Sequence, residues 1–231
     1  MKPPIHAEKK LQAARASKIQ RRFFGSATPA GYPLGVRIPG TLYGSLLFER
    51  PEHRATVERV ESFLSRPGPL GVEIGFDHGM CLLDRARRFP GANWIGAEVR
   101  RRRVEAVSRH APENCLPLRV DGRALLALLP GGRVDWIYVL FPTPFGDRRE
   151  LFSPEFGEAV ARSLRQGGIF YMRTDVATLY DSATASFGRW ARSDPPPLGT
   201  ELSRRERVCA RDGTAVYDLC VRRGRTEAEP R

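Results

Sequence analysis

The stretch from Pro69 to Val99, PLGVEIGFDHGMCLLDRARRFPGANWIGAEV, limits the possible folds of this chain more than any other. Leu70 to Ile74 is a largely apolar run that ends at Gly75, and a turn follows through Gly79. Leu82, Leu83, Ala86 and Phe89 then recur at helical spacing until Pro90 stops the pattern. Trp94, Ile95 and Ala97 form a second strand with Glu98 at its carboxyl end. Strand, glycine turn, helix and strand make a βαβ unit, which implies a parallel sheet. In open sheets of this kind a ligand sits outside the carboxyl ends of the strands. Gly75, Gly79 and Glu98 are therefore candidate ligand residues, with Glu98 placed to accept hydrogen bonds from a ribose.

The turn also narrows the choice of nucleotide. A dinucleotide site needs G-x-G-x-x-G so that backbone amides approach a pyrophosphate. Here the turn is Gly75-Phe76-Asp77-His78-Gly79, and Asp77 puts a negative charge where the phosphates would lie. S-adenosylmethionine carries no phosphate and has a positive sulfonium and a positive ammonium, so Glu73 and Asp77 are compatible with it. A glycine turn by itself also occurs in other α/β proteins. The acid at position 98, 23 residues after Gly75, adds weight, because the spacing expected for a ribose acid is about 20.

The chain has 231 residues, which suits one domain with an N-terminal extension. A net charge of +12 points to a polyanionic partner, nucleic acid first. Arginine-rich composition also follows from GC-rich coding, so charge alone leaves both readings open. Cys81, Cys115, Cys209 and Cys220 form no C-x-x-C pair, and the four histidines lie far from them in sequence. No metal motif is visible, and reduced thiols in a cytoplasmic protein are expected. No apolar run approaches the ~18 residues of a membrane span, and the basic N-terminus lacks the apolar core of a signal peptide.

Residues 1–43 read as a basic, partly irregular arm, with a possible helix over Lys9 to Arg22. Residues 44–224 read as one α/β domain and 225–231 as a polar tail. Pro51 to Ser65 is helical, with Val57, Val60 and Leu64 on one face. After Glu98 come Arg100 to Arg103, opening a helix that runs to His110. Four cations at a helix N-terminus oppose its dipole, so they suggest phosphate contact or else a solvated face. Cys115 to Val120 is a third strand ending at Asp121, an acid placed to accept from an adenine amine. Arg123 to Leu129 is a short helix. Val134 to Phe141 is apolar enough for a strand buried on both faces, and it runs into Phe141-Pro142-Thr143-Pro144-Phe145, where a flat base could be held. Ser153 N-caps a helix to Leu164, Ile169 to Met172 is a strand ending in Arg173-Thr174-Asp175, and Val176 to Trp190 is helical. Val208 to Arg211 and Ala215 to Val221 read as a hairpin through Asp212-Gly213.

This order of segments resembles a Rossmann-like class I methyltransferase, with a mostly parallel seven-stranded sheet, helices on both faces and a C-terminal antiparallel hairpin. The phrases Glu73-Ile74-Gly75-Phe76 with Gly79, Trp94-Ile95-Gly96-Ala97-Glu98-Val99, Leu118-Arg119-Val120-Asp121, Phe141-Pro142-x-Pro144, Pro154-Glu155-Phe156, Gly167-Gly168, Thr174-Asp175 and Val216-Tyr217-Asp218-Leu219 resemble the tRNA (guanine-N7) methyltransferase family, called TrmB in bacteria. The resemblance implies S-adenosylmethionine as cofactor, tRNA as partner and methylation of a variable-loop guanine. It implies that Glu73, Gly75, Gly79, Glu98, Asp121 and Thr143 surround the cofactor. Asp175 and Thr143 would sit at the reaction centre. Asp147, Asp175, Thr200, Ser203, Arg205 and Phe145 would sit at the base. The chain departs from the family's pattern at several of these positions. A family glycine is Asp77, the acid of F-P-D-P-W is Thr143, its Trp is Phe145, and a following lysine is Asp147. The glutamate of T-x-F-E-x-R is Ser203. The nucleotide half is thus kept more closely than the base half. That leaves two alternatives beside tRNA methylation: a small purine-like heterocycle as acceptor, or a catalytically silent RNA-binding protein.

Guanine N7 offers an in-plane lone pair and no proton, so methylation there needs no obligatory general base. Positioning carries most of such catalysis, and a carboxylate near the ring stabilises the positive charge of the product. Asp175, Asp147 or Glu201 could supply that charge in place of the acid replaced by Thr143.

Overall fold

A computed structural model describes residues 51–143 and 151–224. The expected N-terminal arm, the C-terminal tail 225–231, and Phe145, Asp147, Arg148 and Arg149 lie outside the described residues.

The helices are α1 (Pro51–Leu64), α2 (Met80–Arg88), α3 (Arg101–Ser108), α4 (Gly122–Leu128), α5 (Pro154–Ser163), α6 (Ala177–Phe187) and α7 (Arg204–Asp212). The strands are β1 (Leu70–Ile74), β2 (Asn93–Glu98), β3 (Cys115–Arg119), β4 (Val134–Leu140), β5 (Leu164–Thr174), β6 (Ala191–Arg192) and β7 (Tyr217–Arg222). They form one seven-stranded sheet in the order β3-β2-β1-β4-β5-β7-β6. β1 to β5 run parallel, and β7 is antiparallel to both β5 and β6. Strand order reverses between β1 and β4, and a ligand crevice is expected at that switch point.

Alternation along the strands divides the core into two layers. Leu70, Val72 and Ile74 of β1, Ile95 and Ala97 of β2, and Ile137 and Val139 of β4 face α1, α4, α5 and α6. Trp94 of β2, Tyr138 of β4 and Tyr171 of β5 face α2 and α3. The second layer is built on close approach. A Cβ on Gly71 would overlap the Trp94 ring, and one on Gly96 would overlap Leu82 and Phe76. Trp94 can therefore lie flat on β1, stacked with Trp136 at 5.8 Å between ring centroids. Ser153 caps α5 as expected, its hydroxyl accepting from the Phe156 N–H at 3.3 Å.

The expected hairpin is not formed. Val208 to Arg211 belong to α7, and β7 takes β5 and β6 as partners instead. The Ser203 hydroxyl accepts from the Glu206 N–H at 3.1 Å, and the Glu206 carboxylate accepts from the Ser203 N–H at 3.4 Å. That reciprocal capping box satisfies two donors that a helix start would otherwise leave open. Gly213, with φ of +66°, then stops the helix in the left-handed conformation. Asp-Gly is a hairpin signal and a helix stop alike, and the Ser-x-x-Glu nine residues earlier decides between them. Tyr217 to Arg222 is still a strand, and the sheet still ends in antiparallel pairing.

Candidate active site

A cleft of about 660 Å³ opens at the carboxyl ends of β1, β2, β4 and β5 and is closed on one side by the start of α7. That volume lies within the usual range for a small-molecule site. Glu73, Gly75, Glu98, Asp121, Thr143, Asp175, Ser203 and Arg205 all border it. The structure thus brings together residues from opposite ends of the sequence. Thr200 and Gly79 do not border it. Thr200 lies against α2, where its N–H donates to Asp84 at 2.6 Å and its hydroxyl meets Arg88 at 3.4 Å. Gly79 packs on α3, where a Cβ would come within 2.5 Å of Val107.

Glu98 is buried, and both of its oxygens are engaged. One accepts from the Arg100 backbone N–H at 2.9 Å and from its guanidinium at 3.0 Å. The other accepts from the Asp77 N–H at 3.2 Å and from Arg100 again at 3.1 Å. Burial disfavours the charged form, but these donors outweigh it and hold the carboxyl below its ordinary value. Arg100 also reaches the Asp77 carboxylate at 2.7 Å. Asp77 sits at φ +47°, a left-handed conformation that Asp adopts more readily than most side chains. The turn therefore keeps its shape without a glycine, and Asp77 gains a role in holding Arg100.

Glu73 is paired with Arg85, a fully buried arginine that the sequence pattern hides on the apolar side of α2. The guanidinium lies 4.2 Å from the Tyr138 ring centroid and 5.6 Å from that of Trp94. Burial pushes the Glu73 carboxyl up, and Arg85 pulls against it. Asp121 N-caps α4, accepting from the Arg123 and Ala124 N–H groups through one oxygen at 2.9 and 3.4 Å. Asp175 is bound by the Arg205 guanidinium, which holds its carboxyl below the ordinary value. Phe141, at φ +48°, is a second non-glycine residue in left-handed backbone, and its N–H donates to the Arg173 carbonyl at 2.7 Å. Such strain persists only where the surroundings fix it, and here it turns the chain sharply at the tip of β4.

The donor set fits adenosine and a methionine chain better than a dinucleotide. Gly75 stands at φ +77° facing open space, Ile74, Ala97, Val120 and Leu140 provide apolar wall, and the Asp77 carboxylate occupies the turn where a pyrophosphate would need bare amides. The thiol of Cys81 at the cleft edge is pushed up to about 12 by burial, so it is not a nucleophile near neutral pH. Among the described residues no cluster of His, Cys, Asp or Glu could hold a metal ion.

Sheet order, antiparallel end and crevice together define a class I methyltransferase fold. Among solved structures it is similar to the 16S rRNA methyltransferase KamB, with a TM-score of 0.55 at 18% identity over 73% of this chain and 94% of that one. It is also similar to a 16S rRNA (adenine(1408)-N(1))-methyltransferase variant from Catenulisporales acidiphilia solved with cosubstrate SAM, with a TM-score of 0.52 at 14% identity over 75% and 93%. Residues 67–214, more than half of the chain, match the family described as putative methyltransferase, and the chain belongs to that family. Its relatives include proteins named tRNA (guanine-N(7)-)-methyltransferase. One from Synechococcus sp. (strain CC9902) is 28% identical over 86% of each chain. One from Aeromonas hydrophila is 29% identical over 70% of this chain and 76% of that protein. One from Azorhizobium caulinodans is 35% identical over 48% and 51%, about half of each.

Proposed function

We propose that this protein is a cytoplasmic S-adenosylmethionine-dependent methyltransferase that modifies N7 of a guanine in tRNA. The observation that carries the reading is the single cleft in which Glu98 and Asp175 stand on one continuous wall system, one acid at the end of β2 and the other just past β5. The names of the relatives support the acceptor. When bound, S-adenosylmethionine supplies an electrophilic methyl group, whose bond to sulfur breaks as a bond to N7 forms.

The residues of this chain bind and orient. Glu98 accepts from the ribose hydroxyls, Asp121 offers its remaining oxygen to the adenine amine, and Gly75 leaves room for the backbone to approach. Phe141 to Thr143 hold the acceptor base against the reacting face. Asp175 stays ionised beside Arg205 and stabilises the positive ring of the product. Ser203 is committed to its helix cap, so it does not take over the charge of the glutamate found there in the related family. Asp175→Asn should leave cofactor affinity within about twofold and slow methyl transfer on the order of tenfold or more, as expected for one lost electrostatic contact. An unchanged rate with normal cofactor binding would remove Asp175 from the reaction centre.

A further inference from the structure

The two helical layers differ in charge. In the layer on the Trp94 side, α2 exposes Arg87 and Arg88 beside Asp84, its Arg85 being buried against Glu73, and α3 carries Arg101, Arg102 and Arg103 against Glu105. α7 carries Arg204, Arg205, Arg207 and Arg211 against Glu206 and Asp212. It belongs to the same side, because Glu206 pairs with Arg173, which lies on the Tyr171 face of β5. The opposite layer has the other sign. α1 shows Glu58 and Glu61 against Arg59, α5 has Glu155 and Glu158 against Arg162, α6 has Asp181 alone, and α4 has Arg123 alone. GC-rich coding would place arginine on both layers alike. An excess confined to one layer needs a cause that acts on one face.

The basic layer is also continuous with the cleft. Arg100, beside α3, and Arg204 and Arg205, on α7, border it directly. Arg88 touches Thr200 in the loop before α7, and Arg87 touches the His110 carbonyl beyond α3, so the three helices present one connected surface. The N-terminal arm is itself basic and has no charge complementarity to that surface. We infer that the α2–α3–α7 face is the docking surface for the phosphate backbone of the RNA substrate, laid so that one base enters the cleft between Arg100 and Arg205. This rests on the proposed function for its acceptor. An anionic membrane would meet the same charge, but it has no base to insert, and the continuity of the arginines with the cleft favours RNA.

The test compares two triple variants that remove equal charge. One is Arg88→Ala, Arg102→Ala, Arg207→Ala on the basic layer, whose members are exposed and do not border the cleft. The other is Arg59→Ala, Arg66→Ala, Arg189→Ala, with Arg59 and Arg66 at α1 and Arg189 just beyond α6. Affinity for unmodified tRNA is measured between 50 and 300 mM salt, alongside calorimetric titration of S-adenosylmethionine and methyl transfer. The basic-layer variant should bind tRNA at least tenfold more weakly, and its log K against log salt should flatten by about one unit per lost contact. Its cofactor affinity should not change, and the opposite-layer variant should behave as wild type. Equal losses in both variants, or none in the first, would overturn the docking surface while leaving methyl transfer by the wild type as separate support for the function. Loss of anionic-vesicle binding with intact tRNA binding would assign the face to a membrane instead and equally overturn it. If the wild type binds tRNA on this face yet transfers no methyl group, the docking surface stands and the proposed reaction falls.

Discussion

Glu98 and Arg100 show how one side chain can guard another. All four acceptor directions of the Glu98 carboxylate are filled by donors, two of them from the half-exposed Arg100 guanidinium. In the proposed function, a ribose at Glu98 would displace that guanidinium, and the two backbone donors could stay. Exposed ion pairs contribute about 0–1 kcal/mol, so removing the competitor should help only modestly. Arg100→Ala is expected to tighten S-adenosylmethionine binding up to about fivefold by calorimetry. Weakened binding would mean that Arg100 contacts the cofactor instead. Glu98→Ala should weaken binding by roughly 10- to 100-fold, the range for lost hydrogen bonds to a charged group. Beneath them, Glu73 and Arg85 form a buried pair. Arg85→Met leaves a carboxylate without its partner and should cost about 3–5 kcal/mol in urea unfolding, most of it recovered when Glu73→Gln is added. An additive double variant would contradict the pairing. At this scale the sequence revealed the acids and hid their partners. Glu98 is marked by its place after an apolar strand. Arg85 looks like one more surface arginine, because nothing local says that a guanidinium will lie against Tyr138 and Trp94.

Among the elements, α7 is the informative case. Its four arginines and its Asp-Gly end resemble a polar hairpin, and only the capping box argues for a helix. Ser203→Ala should cost about 1 kcal/mol, and the amides of 208–211 should show helical protection in hydrogen exchange that this substitution weakens first. Protection that alternates as in a β-ladder would contradict α7. The parallel strands were legible because burial on both faces leaves nearly unbroken apolar runs, and α5 was legible from Ser153-Pro154. β6 was not, since two exposed residues carry no period. The N-terminal half of β5 was hidden by Gly167 and Gly168, which read as the close of the preceding helix. The two glycines instead fall within the strand, where the β4–β5 pairing shifts register between Val134 and Trp136.

For the whole molecule, the acids at the cleft tie stability to pH. Glu98 and Asp175 both have folded values below their ordinary ones. Groups shifted in that direction add stability that is fully present above the unfolded pKa and lost as pH falls through the folded one. The contribution of these two acids should therefore be flat near neutrality and fall as pH drops below the ordinary carboxyl range, whereas Glu73, pushed up by burial, contributes in the opposite direction. Glu98→Gln should lower the unfolding free energy at neutral pH and make that fall shallower. The overall architecture could be anticipated because each βαβ unit repeats the same local grammar. The charge difference between layers could not, since it appears only when distant helices are sorted by the face of the sheet they cover. The most direct test of the central claim is methyl transfer from labelled S-adenosylmethionine to unmodified tRNA, followed by chemical cleavage specific for N7-methylguanosine. The account predicts label in the tRNA and scission at one guanine, both lost in Glu98→Ala. Cofactor binding with no transfer to tRNA, or label at an atom that leaves the chain resistant to that cleavage, would contradict it.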